Sequence, residues 1–137
     1  VPEDVTIQQD SDRIQVLVVD DQAMVRSGLR YVLLAFEDLE LIGEATTSDE
    51  ALRLCTWARP DVVLMDLSVP GMDPVRVIRL IHRRSPATQI IALTGFWAQE
   101  LVQAALKAGA SAHAFKEISA EELVTLIRKS YASATPT

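Results

Sequence analysis

The feature that most constrains this chain is a change of hydrophobic period that recurs five times. Short runs rich in β-branched and small apolar residues at 14–19, 39–43, 62–65, 89–93 and 112–115 alternate with segments whose apolar residues fall three and four apart. The first and third runs are apolar almost throughout, as expected of strands buried on both faces of a parallel sheet. Val25, Leu29, Val32, Leu33 and Phe36 mark a first helix, and Ala51, Leu52, Cys55 and Ala58 a second that stops before Pro60. Val75, Val77, Ile78 and Ile81 mark a third, ending before Pro86. Leu101, Val102, Ala105 and Leu106 mark a fourth, closed by Gly109 where a left-handed turn is needed. Ser119 and Glu122 form an S-x-x-E capping box that opens a fifth, carrying Leu123, Leu126 and Ile127. The alternation predicts an α/β fold, a (βα)5 three-layer sandwich on a five-stranded parallel sheet of order 2-1-3-4-5, with right-handed crossovers. In such a sheet ligands bind beyond the carboxyl ends of the strands, near the switch between strands one and three.

A chain of 137 residues accommodates one such domain, and 49% hydrophobic with 23% charged residues is ordinary packed-protein material. Residues 1–13 are polar and acidic with no apolar period and read as a flexible N-terminal arm; 14–132 read as the domain, and 133–137 as the start of a linker or tail. The net charge of −6 argues against a grip on nucleic acid or an anionic membrane and favours a cation as partner. Cys55 has no second cysteine to pair with, and the apolar runs are too short to cross a bilayer. With no signal peptide in view, a cytoplasmic setting is the expectation, although the chain opens on Val1 and its ends need not be natural.

The strand ends are where the chemistry gathers. Strand one runs into Asp20 and Asp21, and strand three into Asp66. A single Asp after a strand is commonly the cap of the next helix. Three at the switch point are a different matter, because two unit charges about 4 Å apart repel by about 4 kcal/mol at an effective dielectric of about 20. A divalent cation relieves that repulsion, and oxygen donors of this kind suit Mg²⁺, which keeps several waters for exchange with a phosphate oxygen. Strand four ends at Thr94-Gly95 and strand five at Lys116, a hydroxyl and an ammonium suited to the peripheral oxygens of a phosphoryl group. Taken singly, each is more often a strand former or a solvated charge.

The stretches VLVVDDQAMVRSGLR, DVVLMDLSVPGMD, IIALTGF and KAGASAHAFKEIS, at these spacings, resemble the receiver domain of bacterial two-component response regulators of the NarL/FixJ type, the group with LuxR-type output domains. The resemblance covers about residues 14 to 132 and implies a flavodoxin-like fold. It implies that Asp66 accepts a phosphoryl group from a sensor histidine kinase. Asp20 and Asp21 would hold Mg²⁺ together with Asp66 and the backbone carbonyl of Ser68, while Thr94 and Lys116 would bind phosphoryl oxygens. A shift of Thr94 and the residue at position 113 would then switch the output face. Such a domain is a signalling phosphoacceptor that promotes only its own phosphoryl transfer and dephosphorylation. The family further implies a homodimer on activation, and DNA contact only through a C-terminal domain beyond this chain.

Several positions depart from the commoner receiver pattern. His113 stands where Tyr or Phe is frequent; it reads as a tolerated polar residue at a half-exposed position, the sharper alternative being a pH-sensitive output face, since imidazoles titrate near neutrality. Glu117 replaces a frequent Pro, so no cis-proline step is expected, and Asp73-Pro74 replaces Asp-Gly at a first helical position where Pro is tolerated. Ser68 and Phe96 occupy positions that tune phosphoryl lifetime in the family, and Trp97 is expected to be partly exposed at the start of helix four. Two other readings compete: a metal-dependent phosphatase or phosphomutase with an aspartyl nucleophile, and a receiver-like interaction module independent of phosphorylation. The first usually needs an acid two residues after the nucleophile, where this chain has Ser68; the second usually shows damaged acids, and here all three are intact. No G-x-x-x-x-G-K-[ST] or G-x-G-x-x-G loop follows a strand, which disfavours nucleotide or flavin binding.

Overall fold

The computed structural model describes residues 12–95 and 98–134. Residues 1–11 of the arm expected at 1–13, together with Phe96, Trp97 and residues 135–137, lie outside the described residues. The elements alternate strictly: β1 (Ile14–Val19), α1 (Ala23–Leu34), β2 (Leu39–Ala45), α2 (Ser48–Ala58), β3 (Val62–Asp66), α3 (Pro74–Arg84), β4 (Gln89–Thr94), α4 (Gln99–Ala108), β5 (Ala112–Phe115) and α5 (Ala120–Ala134). The strands form one parallel sheet of order β2-β1-β3-β4-β5, the predicted order.

The near-continuous apolar strands have two buried faces to fill, and the two faces hold separate cores. Leu17, Val19, Val63, Met65, Ile90 and Ala92 pack with Ala51 and Cys55 of α2, Val77, Ile78 and Ile81 of α3, and Ala105 and Ala108 of α4. Their sequence neighbours Val16, Val18, Val62, Leu64, Ile91 and Leu93 point to the other side, against Leu33 of α1 and Leu123, Val124 and Ile127 of α5. This is the period of two expected along a strand, with both phases buried. Burying side chains of this size contributes about 1.5–3 kcal/mol each, the largest favourable contribution to the fold. Cys55 belongs to the first core, and burial pushes its thiol up to about 12, so it stays neutral.

The element ends follow local chemistry. Thr47 caps α2 by accepting the Glu50 N–H at 3.1 Å, and Asp73 caps α3 by accepting the Val75 N–H at 3.0 Å, with Pro74 in the first turn. Ser119 accepts the Glu122 N–H at 3.1 Å, as the capping box predicts. Gly109 ends α4 at φ 124, and an added Cβ would lie 2.5 Å from the His82 ring. α2 stops before Pro60 as expected, with Arg59 in the left-handed region at φ 45.

Four boundaries differ from the sequence reading. β2 runs two residues past Gly43 because Glu44 and Ala45 still pair with Val18 and Val19. β3 and β4 include Asp66 and Thr94, which continue the ladder to Leu93 and Phe115. α5 continues through Ala134, past Ser133 where the tail was expected to begin. Ser133 Oγ donates back to the Lys129 carbonyl at 3.0 Å.

Candidate functional site

The sheet register creates the acidic cluster. β1 and β3 pair Val16 with Val62 through Val19 with Met65, so the next residues, Asp20 and Asp66, emerge side by side on the same rim. Both are buried, at 1% and 0% exposure, while Asp21 is exposed. One carboxylate oxygen from each of the three lies within 4.8 Å of the others. Neither Asp20 nor Asp21 is the N-cap residue of α1, which is Gln22 with no side-chain cap; Asp20 Oδ1 instead accepts the Gln22 N–H at 2.8 Å.

Lys116 enters from the far side of the sheet. Its N–H donates to the Thr94 carbonyl at 2.8 Å, extending the β4–β5 pairing past Phe115 and aiming the side chain over the rim. Its Nζ lies 2.9 Å from Asp66 Oδ2 and 3.0 Å from Asp20 Oδ2, with Gln22 Oε1 at 3.4 Å. Desolvation works to lower the Lys116 pKa, but the hydrogen bonds and charges of Asp66 and Asp20 outweigh it and the net shift is upward. The ammonium therefore offsets part of the carboxylate repulsion. Three carboxylates and one ammonium leave a formal charge of −2, matched to a divalent cation, and the exposed Asp21 marks the side from which one would enter.

The other Asp66 oxygen is held by the loop that follows it. Asp66 Oδ1 accepts from the Ser68 backbone N–H at 2.9 Å and from the Ser68 hydroxyl at 2.8 Å. Asp66 is thus fixed at both oxygens, by Ser68 on one and Lys116 on the other. Thr94, 2% exposed at the carboxyl end of β4, has a buried hydroxyl with no hydrogen-bond partner among the described residues. A buried hydroxyl of this kind calls for an explanation, and a phosphoryl oxygen in the crevice would supply one. His113 is exposed on β5, paired in register with Ala92, and is more open than the half-exposed position expected. β5 is an edge strand of the sheet.

Asp20, Asp21, Asp66 and Lys116, predicted separately from strand ends, meet in one cluster, and Thr94 ends the strand that pairs with both β3 and β5. The sequence reading missed four contacts. The Ser68 side chain bonds Asp66, a relation that the Asp-x-Ser spacing and its local turn geometry could have signalled. Gln22 reaches Lys116 across 94 residues, and Lys116 pairs directly with two acids; no local pattern signals either.

The family model for the response regulator receiver domain matches residues 16–128. The chain belongs to this family. Among its curated relatives, the uncharacterized transcriptional regulatory protein YhcZ of Bacillus subtilis is 44% identical over 111 residues, 81% of this chain and 52% of that protein. The transcriptional regulatory protein LiaR of Bacillus subtilis is 41% identical over 84% of this chain and 54% of its own length. The response regulator UvrY of Escherichia coli is 36% identical over 86% and 54%. Among solved structures, a LuxR-family two-component response regulator from Aurantimonas superposes with a TM-score of 0.82 at 30% identity, covering 88% of this chain and 86% of that one. The signal receiver domain of the putative response regulator NarL from Mycobacterium tuberculosis gives 0.84 at 26% identity, covering 88% and 98%. The chain is therefore a receiver domain of the two-component type, a signalling domain on the flavodoxin-like fold, related to LuxR-family transcriptional regulators. It spans about half the length of the curated relatives it matches. No described helix of the receiver domain is long and apolar enough to cross a membrane.

Proposed function

We propose that this receiver domain is a phosphorylation-activated switch in which Asp66 accepts a phosphoryl group from a sensor histidine kinase. The observation that carries the reading is the seating of Asp66: fully buried, one oxygen on Ser68, the other on Lys116, and within reach of Asp20 and Asp21. A carboxylate held at both oxygens in a crevice otherwise lined by negative charge is oriented for attack on an incoming phosphorus. One Asp66 oxygen would form the new P–O bond as the bond from phosphorus to the kinase histidine nitrogen breaks, that nitrogen keeping the electron pair. Mg²⁺, held by Asp20, Asp21, Asp66 and the Ser68 backbone carbonyl, would supply charge compensation for the transferring group when bound. Lys116 would turn from its carboxylate partners to a phosphoryl oxygen, and the buried Thr94 hydroxyl would donate to another. That draws the end of β4 inward and, with His113 on the neighbouring strand, alters the output face.

On this reading residues 14–132 form the receiver unit, and control of transcription belongs to a DNA-binding domain C-terminal to it in the full protein. A homodimer on activation fits the same family logic. The deciding experiment is incubation with acetyl phosphate and Mg²⁺ followed by intact mass measurement. Wild type should gain one labile phosphate and Asp66→Asn none; a variant that is still phosphorylated, or a wild type that is not, would end the proposal.

A further inference from the structure

The loop from Leu67 to Asp73 joins β3 to α3 and carries Ser68, so whatever fixes this loop also fixes the hand that holds Asp66. Two of its side chains, Leu67 and Val69, are buried in the core. The Leu67 N–H donates to the Leu93 carbonyl at 2.9 Å, and further anchorage comes from the first turn of α2, some twenty residues earlier in the chain. The peptide groups of Met72 are gripped from both sides: Asp49 Oδ1 accepts the Met72 N–H at 2.8 Å, and the Ser48 hydroxyl donates to the Met72 carbonyl at 2.5 Å. The Ser48 N–H also donates to the Pro70 carbonyl at 3.0 Å. Ser48 is 0% exposed, an unusual setting for a hydroxyl unless it is fully used.

Gly71 lies between these anchor points at φ +105, and a Cβ there would sit 2.2 Å from Asp49 Oδ1 and 3.1 Å from Ser48 Oγ. The loop backbone can approach α2 this closely only because residue 71 has no side chain. The Met72 N–H, helped by the Asp49 N–H and Ser48, holds the Asp49 carboxyl below the usual carboxylate range, so the contact is a charge-assisted hydrogen bond at neutral pH. The α2 N-terminus, where Asp49 sits in the first turn, favours that negative charge further.

We infer that Asp49, together with Ser48, is a positioning residue for phosphoryl transfer: the α2 N-terminus latches the β3–α3 loop and thereby sets the Ser68 contacts that orient Asp66. The inference rests on the phosphoacceptor reading above and adds a residue outside the acidic cluster. Asp49 touches neither Asp66 nor any of its partners, so its influence runs through the loop backbone.

The test measures Mg²⁺ affinity by calorimetry, the acetyl phosphate phosphorylation rate at saturating Mg²⁺, and the urea midpoint. Asp49→Ala should lower both the affinity and the rate by about tenfold, the scale of one lost charge-assisted hydrogen bond. Asp49→Asn, which keeps an acceptor oxygen for Met72, should stay within about twofold of wild type. Ser48→Ala, which keeps the Asp49 contact, should fall between them and serves as the informative variant if Asp49→Ala does not fold. Asp38→Ala, which breaks an ion pair at the opposite rim, should leave affinity and rate unchanged even where it lowers the urea midpoint. Wild-type affinity and rate in Asp49→Ala or Ser48→Ala, or equal losses in Asp38→Ala, would overturn the latch. A wild type that takes up neither Mg²⁺ nor phosphate would instead overturn the reading of the site, and the role of the latch with it.

Discussion

At the scale of single residues, the crevice is a balance of charges in which Lys116 has two functions. It neutralises part of the repulsion between Asp20 and Asp66 and, on the proposed mechanism, is available to a phosphoryl oxygen. Lys116→Met removes the first function without removing bulk. We expect it to destabilise the Mg²⁺-free protein by about 1–3 kcal/mol, below the roughly 3–5 kcal/mol of a fully buried pair because Lys116 retains some contact with solvent. Mg²⁺ should recover much of this loss and bind the variant more tightly than wild type, since the site would then carry one more uncompensated negative charge. Urea midpoints with and without Mg²⁺ would check both directions. Equal midpoints for variant and wild type without Mg²⁺ would mean that the ion pairs contribute nothing net. The three acids were legible one by one, because each follows a strand; Lys116 as their counter-charge was not, because it lies 50 residues from Asp66 and 96 from Asp20.

At the scale of elements, the glycines separate what a helix wants from what a loop requires. Gly28 lies within α1 with nothing within 4 Å of an added Cβ, whereas Gly71 is at positive φ with Asp49 and Ser48 in the way. Gly28→Ala should therefore stabilise the protein by about 0.5–1 kcal/mol, by helix propensity and a less flexible unfolded chain. Gly71→Ala should destabilise it by about 1–3 kcal/mol. Opposite shifts of the thermal midpoint are the expected result, and shifts of the same sign would contradict the geometry. The helices themselves were readable from spacing, and the start of α5 from the Ser119 capping box; the caps Thr47 and Asp73 emerged only in the structure. The extension of α5 and the lengthened β2 were not readable, because each depends on pairing or continuation beyond the local signal.

At the scale of the whole molecule, the N-terminal rim of the sheet is tied by an ion pair between distant segments. Arg128 of α5 makes a two-pronged contact with Asp38, at 2.8 and 2.9 Å, and its guanidinium lies 5.3 Å from the Phe36 ring centroid. The Arg128 hydrogen bonds outweigh partial desolvation and hold the Asp38 carboxyl below its usual value. A depressed carboxyl contributes stability that is present above about pH 4, its unfolded value, and is lost as pH falls through the lower folded value. Asp38→Asn should therefore lose little further stability across that acid window while wild type does, by a small margin because the pair is solvent-exposed. Parallel acid denaturation curves for the two would remove the claim. The sequence by itself determined the alternation of elements, the parallel sheet and its order, and the fact that acids, a threonine and a lysine stand at strand ends, because hydrophobic period and turn chemistry are local properties. Only the tertiary structure decided that Lys116 bridges two of the acids and that the first turn of α2 holds the β3–α3 loop. Those contacts join residues brought together by sheet register and helix packing, and a through-space distance of 3 Å leaves no trace in the spacing of a one-dimensional chain.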